Sequence, residues 1–193
     1  MHCFQPGSEI IDQQQLLLHG PVHVGAGTVL HASGGISLGA NVVISYHCVL
    51  WTVNHDYEGN CLPYGLARLV RPIVLGDNVW LGRNVLVAPG THIGEGAVVA
   101  MGSVVSGHIP PLAIIAGNPA KVVKYRSPRR YLAHQRQALT LWHNASDCPA
   151  CNNPGFYLAE QGGACEWHWA WRYLPKRLRL RLQQGIIRRL LQG

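Results

Sequence analysis

The sequence predicts an all-β fold: a parallel β-helix of six-residue repeats with a helical appendage at its C-terminal end. Three observations carry that expectation. A period of six runs through the middle of the chain, a single long insertion breaks it, and the charge changes sign near residue 120. The chain has 193 residues, 48% hydrophobic and 13% charged, against roughly 25% charged in an average soluble domain. It can therefore bury a core and is not a disordered polymer. Its 22 Gly and 12 Pro follow no three-residue period, which excludes collagen. No apolar run approaches the roughly 18–20 residues of a membrane span.

The first 21 residues are expected to form an N-terminal segment, and residues 22–125 the β-helix, with an inserted loop at 52–74. Reading in sixes from Leu75, the first position gives Leu75, Leu81, Val87, Ile93, Val99 and Val105, all aliphatic. The second gives Gly76, Gly82, Ala88, Gly94, Ala100 and Ser106, all small. The fifth gives Val79, Val85, Thr91, Ala97, Ser103 and Ile109, small or β-branched. The same register appears at Leu38, Ile44 and Leu50, and more loosely at Val24 and Leu30, with Gly34-Gly35 shifting the phase. A period of six fits neither a helix at 3.6 nor a long strand at 2. It fits a short strand followed by a corner, used repeatedly. The aliphatic residue points into a narrow core, and the small one is expected to let the backbone turn. Three units close one triangular coil, and stacked coils bury a continuous aliphatic ladder. A β-sandwich would space its turn signals at roughly 8–12 residues instead.

The stretch Ile73-Val-Leu-Gly-Asp-Asn-Val-Trp-Leu-Gly, followed by Pro89-Gly90, Ile93-Gly94-Glu95-Gly96, Gly102-Ser103-Val104-Val105, Pro110-Pro111 and Ala116-Gly-Asn-Pro-Ala-Lys121, resembles the left-handed β-helix, hexapeptide-repeat acyltransferases. It is nearest in pattern to the maltose, galactoside and colanic-acid type O-acetyltransferases, over about residues 22–125. The left hand is implied by this resemblance and not by the spacing. So are a homotrimer, acetyl-CoA as donor, and an active site between subunits.

The insertion runs from Trp51-Thr-Val-Asn-His-Asp-Tyr to Arg71-Pro72. A solenoid that ejects such a segment is placing function outside the coil. Acyl transfer from a thioester to a hydroxyl needs a base, which a neutral imidazole supplies, and a donor for the oxyanion, commonly a backbone N–H. In the related acetyltransferases the catalytic His opens such a loop, so the resemblance implies that His55 is the general base. Asn41, Asp56, Tyr57 and Arg71 are the expected acceptor-side residues. His31 and His47 read as structural or substrate-lining, and His92 and His108 as solvent-facing corner residues. The same scaffold also carries zinc-dependent carbonic anhydrases, whose first two ligands lie five apart; His47 and His55 are eight apart.

The resemblance further implicates Trp80, Ala100, Met101, Gly102, Ser103, Ser106, Asn118 and Lys121 in binding the CoA moiety. Met101 stands where relatives often carry alanine. Ser106-Gly107-His108 replaces a usual Thr-Lys-Asp, which leaves Lys121, Lys124 or Arg126 for a phosphate. The acceptor is expected to be a sugar or glycan hydroxyl. Two alternatives stay open: N-acetylation of an amino sugar or amine-bearing small molecule, and a non-catalytic trimeric scaffold.

Residues 1–120 carry three Arg and six acids, whereas residues 121–193 carry thirteen Lys/Arg and three acids. Ser127-Pro128 reads as a helix cap followed by proline at the first helical position, opening a helix to about Asn144. Cys148-Pro-Ala-Cys151 and Cys165-Glu-Trp-His168 offer four ligands in two close pairs, the pattern of a tetrahedral Cys3His zinc site. Its expected role is to anchor a tail too small for its own core. From residue 169 onward the chain holds seven Lys/Arg and no acid, with Leu178, Leu182, Ile186 and Leu190 in a stripe. A basic, aromatic, leucine-striped segment suits an anionic membrane surface. Nucleic acid has only the charge in its favour, with no motif. No basic segment followed by an apolar one is visible near Met1, so the expected location is cytoplasmic, with the tail on the inner face of the cell membrane.

Overall fold

A computed structural model describes residues 2–136. Within that range the chain winds through successive coils, each laying one short strand on each of three parallel faces. The first coil comprises β1 (Cys3–Phe4), β2 (Glu9–Ile11) and β3 (Leu16–Leu18). The second comprises β4 (Val22–Val24), β5 (Val29–His31) and β6 (Ile36–Leu38). In the third, β7 (Val42–Ile44) and β8 (Val49–Trp51) are followed by a protruding hairpin, β9 (Val53–His55) and β10 (Arg68–Val70). The chain then re-enters at β11 (Ile73–Leu75). The fourth coil is β12 (Trp80–Leu81), β13 (Leu86–Val87) and β14 (His92–Ile93), and the fifth β15 (Val98–Val99), β16 (Val104–Val105) and β17 (His108–Ile109). β18 (Ala113–Gly117) folds back antiparallel as β19 (Ala120–Tyr125), and α1 (Pro128–Arg136) follows.

The N-terminal segment expected at 1–21 is itself the first coil. Cys3 pairs with His23, Glu9 with Val29 and Leu16 with Ile36, all parallel. These early coils advance by twenty residues, as Val22 to Val42 also shows. Later ones advance by eighteen, as Trp80 to Val98 shows, and the last by sixteen, as Val98 to Ile114 shows. The longer corners hide the period of six at the N-terminal end.

The aliphatic first position is buried throughout, at Leu75, Leu81, Val87, Ile93, Val99 and Val105. The fifth position is buried with it, at Val79, Val85, Thr91, Ala97 and Ser103. Inward residues two apart on each face thus fill the prism, and each Leu or Val so buried contributes roughly 1.5–3 kcal/mol. Cys48 belongs to this core, its thiol donating to the Gly82 carbonyl at 3.1 Å. Burial pushes its pKa up, so it stays a thiol.

The small second position does not make the turn. The left-handed corner residue is the fourth of each six: Asn41, His47, Asn78, Asn84, Gly90, Gly96 and Gly102, with φ between 57° and 78°. Asn and Gly suit that conformation because it crowds an ordinary Cβ. The second position is small because coils stack closely there. A Cβ on Gly76 would lie 2.7 Å from the Glu95 nitrogen, and one on Gly82 2.7 Å from the Met101 nitrogen.

The cap expected at Ser127-Pro128 is present. The Tyr131 N–H bonds the Ser127 carbonyl at 3.0 Å, and the Arg130 N–H lies 3.4 Å from Ser127 Oγ. The continuation of the helix to Asn144, the Cys3His set and the basic tail lie outside the described residues.

Candidate active site

The hairpin leaves the coil at a clamp of backbone and threonine. Thr52 Oγ1 donates to the His31 carbonyl at 2.6 Å and accepts from the Gly34 N–H at 2.9 Å. The returning Arg71 N–H bonds the Thr52 carbonyl at 2.9 Å, and the Ile73 N–H bonds the Gly35 carbonyl at 3.0 Å. Departure and return are thus adjacent, so the insertion leaves the stacking of β11 on β6 undisturbed. The protruding strands pair antiparallel, with His55 opposite Arg68 and Val53 opposite Val70.

His55 ends β9 with its side chain exposed. Its N–H bonds Asn54 Oδ1 at 2.9 Å. Its ring is covered on one face by Tyr64, with centroids 3.8 Å apart and planes 21° from parallel. Among the described residues, no group hydrogen-bonds the imidazole nitrogens. Asp56 does not orient the ring. Its carboxylate accepts from the Glu58 N–H at 3.2 Å, and its carbonyl accepts from the N–H groups of Gly59 at 3.2 Å and Gly65 at 2.7 Å. Asp56 therefore closes the loop as a turn residue, the ordinary use of Asp there. Tyr57, Leu62 and Leu66 are exposed on that loop. Arg71 lies at its base, the aliphatic stem against the Gly90 corner of the next coil.

Asn41 sits elsewhere. It occupies the corner between β6 and β7, whereas the hairpin grows from the corner after β8. Asn41 Nδ2 donates to Asn78 Oδ1 at 2.7 Å, Asn78 Nδ2 to the Tyr131 hydroxyl at 2.9 Å, and that hydroxyl to Glu95 Oε1 at 2.8 Å. Gln135 Nε2 donates to the same Glu95 oxygen at 3.0 Å. Asn41 is thus part of a polar ladder that runs up the corner and holds α1. Burial raises the Glu95 pKa above its usual value, the Asp77 charge adds to this, and the hydrogen bonds from Tyr131 and Gln135 oppose it. Burial, reinforced by Glu95, likewise raises Tyr131.

The residues expected to meet CoA divide into three groups. Trp80 points outward from the first face, about half exposed, between Val43 and Val98. Ala100, Met101 and Gly102 form the corner between β15 and β16, where Met101 is exposed and a Cβ on Gly102 would meet nothing within 4 Å. Ser106 and Lys121 are exposed, and Asn118 lies in the turn joining β18 to β19. Ser103 is the exception. It is fully buried, and its Oγ accepts from the Gly117 N–H at 3.2 Å, so the side chain ties β18 to the coil. The fifth position of the repeat already marked it as inward.

The remaining histidines separate by role. His31 packs on Trp51 at 4.2 Å between centroids. His47 holds a left-handed corner. His92 and His108 are not at corners: they open β14 and β17, exposed and paired in register, with centroids 6.1 Å apart. Among the described residues no group of three His, Cys, Asp or Glu is placed to hold a metal. Tyr64 is the site residue that the sequence did not reveal, since it falls at no repeat position and nine residues beyond the histidine it covers.

Residues 72–107 match the family described as bacterial transferase hexapeptide (six repeats). A putative colanic acid biosynthesis acetyltransferase of Escherichia coli is 35% identical over 122 residues, covering 63% of this chain and 65% of that protein. The galactoside O-acetyltransferase of the same organism is 34% identical over 93 residues, covering 46% and 43%. The chain thus spans less than two thirds of these curated relatives. A hexapeptide-repeat acetyltransferase of Vibrio cholerae, solved in complex with acetyl coenzyme A, superposes with a TM-score of 0.60 at 27% identity. That match covers 65% of this chain and 68% of the other.

Proposed function

We propose that this chain, whose coils belong to the hexapeptide-repeat transferases, is an acyl-CoA-dependent acetyltransferase that moves an acetyl group from acetyl-CoA to a sugar or glycan hydroxyl. The observation that carries this reading is the clamped hairpin that holds His55, exposed, outside an otherwise regular coil. The V. cholerae complex supports acetyl-CoA as donor, and the colanic acid and galactoside relatives support a glycan or sugar acceptor.

In the proposed reaction, neutral His55 accepts the acceptor hydroxyl proton as its oxygen attacks the thioester carbon. The C–O bond forms, and charge collects on the carbonyl oxygen, where a backbone N–H stabilises it. Collapse breaks the C–S bond, and the imidazolium returns its proton to the CoA sulfur. The products are an acetyl ester and free CoA thiol. Trp80, the Ala100–Gly102 corner, Ser106, Asn118 and Lys121 are the proposed CoA contacts. The active assembly is a homotrimer. Cys148, Cys151, Cys165 and His168 are proposed to bind one structural zinc.

His55→Ala tests the assignment. Loss of a general base costs roughly 10²–10⁴-fold in turnover, so acetyl-CoA-dependent thiol release in the presence of a sugar panel should fall by that order. Binding of acetyl-CoA by calorimetry should persist. A variant that turns over like the native chain would remove His55 from the mechanism.

A further inference from the structure

We infer that Tyr64 is a positioning residue for His55, holding the imidazole in one orientation by stacking on its face. This rests on the reading of His55 as general base and adds a residue that no repeat position indicates. A base at the end of an exposed strand is free to change rotamer, and a proton acceptor must stay within hydrogen-bond reach of the reacting hydroxyl. Catalytic histidines are commonly oriented by a carboxylate or carbonyl on the second ring nitrogen. Within the described residues nothing bonds either nitrogen, and the neighbouring Asp56 carboxylate is engaged by Glu58. What touches the ring is Tyr64, at 3.8 Å and 21°.

Stacking has a geometric consequence. Both imidazole nitrogens lie at the ring edge, so a contact on the face restricts the side chain and leaves both nitrogens open. One can take the proton while the other meets solvent or a partner group.

Tyr64 is itself held by the loop. The Cys61 thiol donates to its carbonyl at 3.3 Å. The next residue, Gly65, donates its N–H to the Asp56 carbonyl at 2.7 Å. Gly59 and Gly65 cross so closely that a Cβ on Gly59 would lie 2.6 Å from the Gly65 Cα. Asp56 follows His55 directly, so the residue that closes the loop is attached to the histidine being covered. The loop between β9 and β10 is thus built to bring a ring back onto His55.

The test compares Tyr64→Phe, which keeps the ring, with Tyr64→Leu, which removes it at similar bulk. His55→Ala assigns the His55 ring signals by proton NMR. In the native chain and in Y64F those signals should carry an upfield ring-current shift, which Y64L should abolish. Turnover in Y64L should fall roughly three- to tenfold, the range set by the strength of an aromatic pair. KM for acetyl-CoA should stay at its native value, and Y64F should restore turnover. Unchanged His55 signals in Y64L would overturn the proposal, as would Y64F losing as much turnover as Y64L. If H55A alone retains full turnover, the base assignment fails, and the ring signals of Y64L still decide whether Tyr64 holds the imidazole.

Discussion

The two small residues of the repeat answer to different forces. Asn78 and Asn84 relieve a left-handed backbone, whereas Gly76 and Gly82 make room for the next coil. Gly82→Ala separates these effects, because φ at Gly82 is not left-handed and only the missing space is challenged. The new Cβ would meet the Met101 nitrogen at 2.7 Å and the Val99 carbonyl oxygen at 3.0 Å, both backbone. Such overpacking costs roughly 1–3 kcal/mol, so the midpoint of urea unfolding should drop without a change in slope. The repeat made the position legible as small. It could not say why, because the colliding atoms belong to Val99 and Met101, seventeen and nineteen residues further along the chain.

At the scale of elements, the corner ladder and α1 form one unit. Tyr131 is nearly buried against the Gly96 corner, and a Cβ on Gly96 would meet its ring. Arg126 donates to the Gly96 carbonyl at 3.0 Å and lies 5.2 Å from the centre of the Tyr131 ring. Glu95 receives both α1 hydrogen bonds while partly buried, and its pKa is raised, so the folded chain holds this proton more tightly than the unfolded one. Its contribution to stability is therefore full below the usual value of 4.5 and is lost as pH rises through the raised value. Glu95→Gln keeps an acceptor for Tyr131 and Gln135 but never ionises. The stability of the variant relative to the native chain should grow from pH 4 to pH 7.5, read as the difference in urea midpoint. An advantage that stays constant across that range would show that the Glu95 pKa is not raised in the fold. The helix start was legible from Ser127-Pro128. Its docking site was not, because Glu95 and Asn78 look like ordinary corner residues until Tyr131 is brought against them.

On the scale of the whole molecule, charge divides the chain. The coils carry the acids, and thirteen of sixteen Lys/Arg lie beyond residue 120. Among the described residues no helix is long and apolar enough to cross a membrane. The proposed tail contact is peripheral, since seven Lys/Arg from residue 169 onward interrupt its apolar residues. Removal of residues 169–193 should abolish sedimentation with phosphatidylglycerol vesicles and leave acetyl-CoA-dependent turnover intact. Undiminished sedimentation would rule the tail out. Elemental analysis of the intact chain should find one zinc per protomer, lost in Cys148→Ser.

The period of six determined by itself that the chain is a β-helix, which side chains enter the core, and where one segment leaves it. Such a pattern is local: every coil repeats the same inward aliphatic position, so a few residues suffice to recognise it. The first coil escaped because its corners are longer, although its strands pair as the others do. Only the tertiary structure decided how the ejected segment and the corners are used. Asn41 joined a ladder through Asn78 and Tyr131, and Tyr64 came back onto His55. Each of these contacts joins residues separated by a loop or by one or more coils. Backbone closure brings such residues together, and side-chain pattern along the chain carries no trace of it.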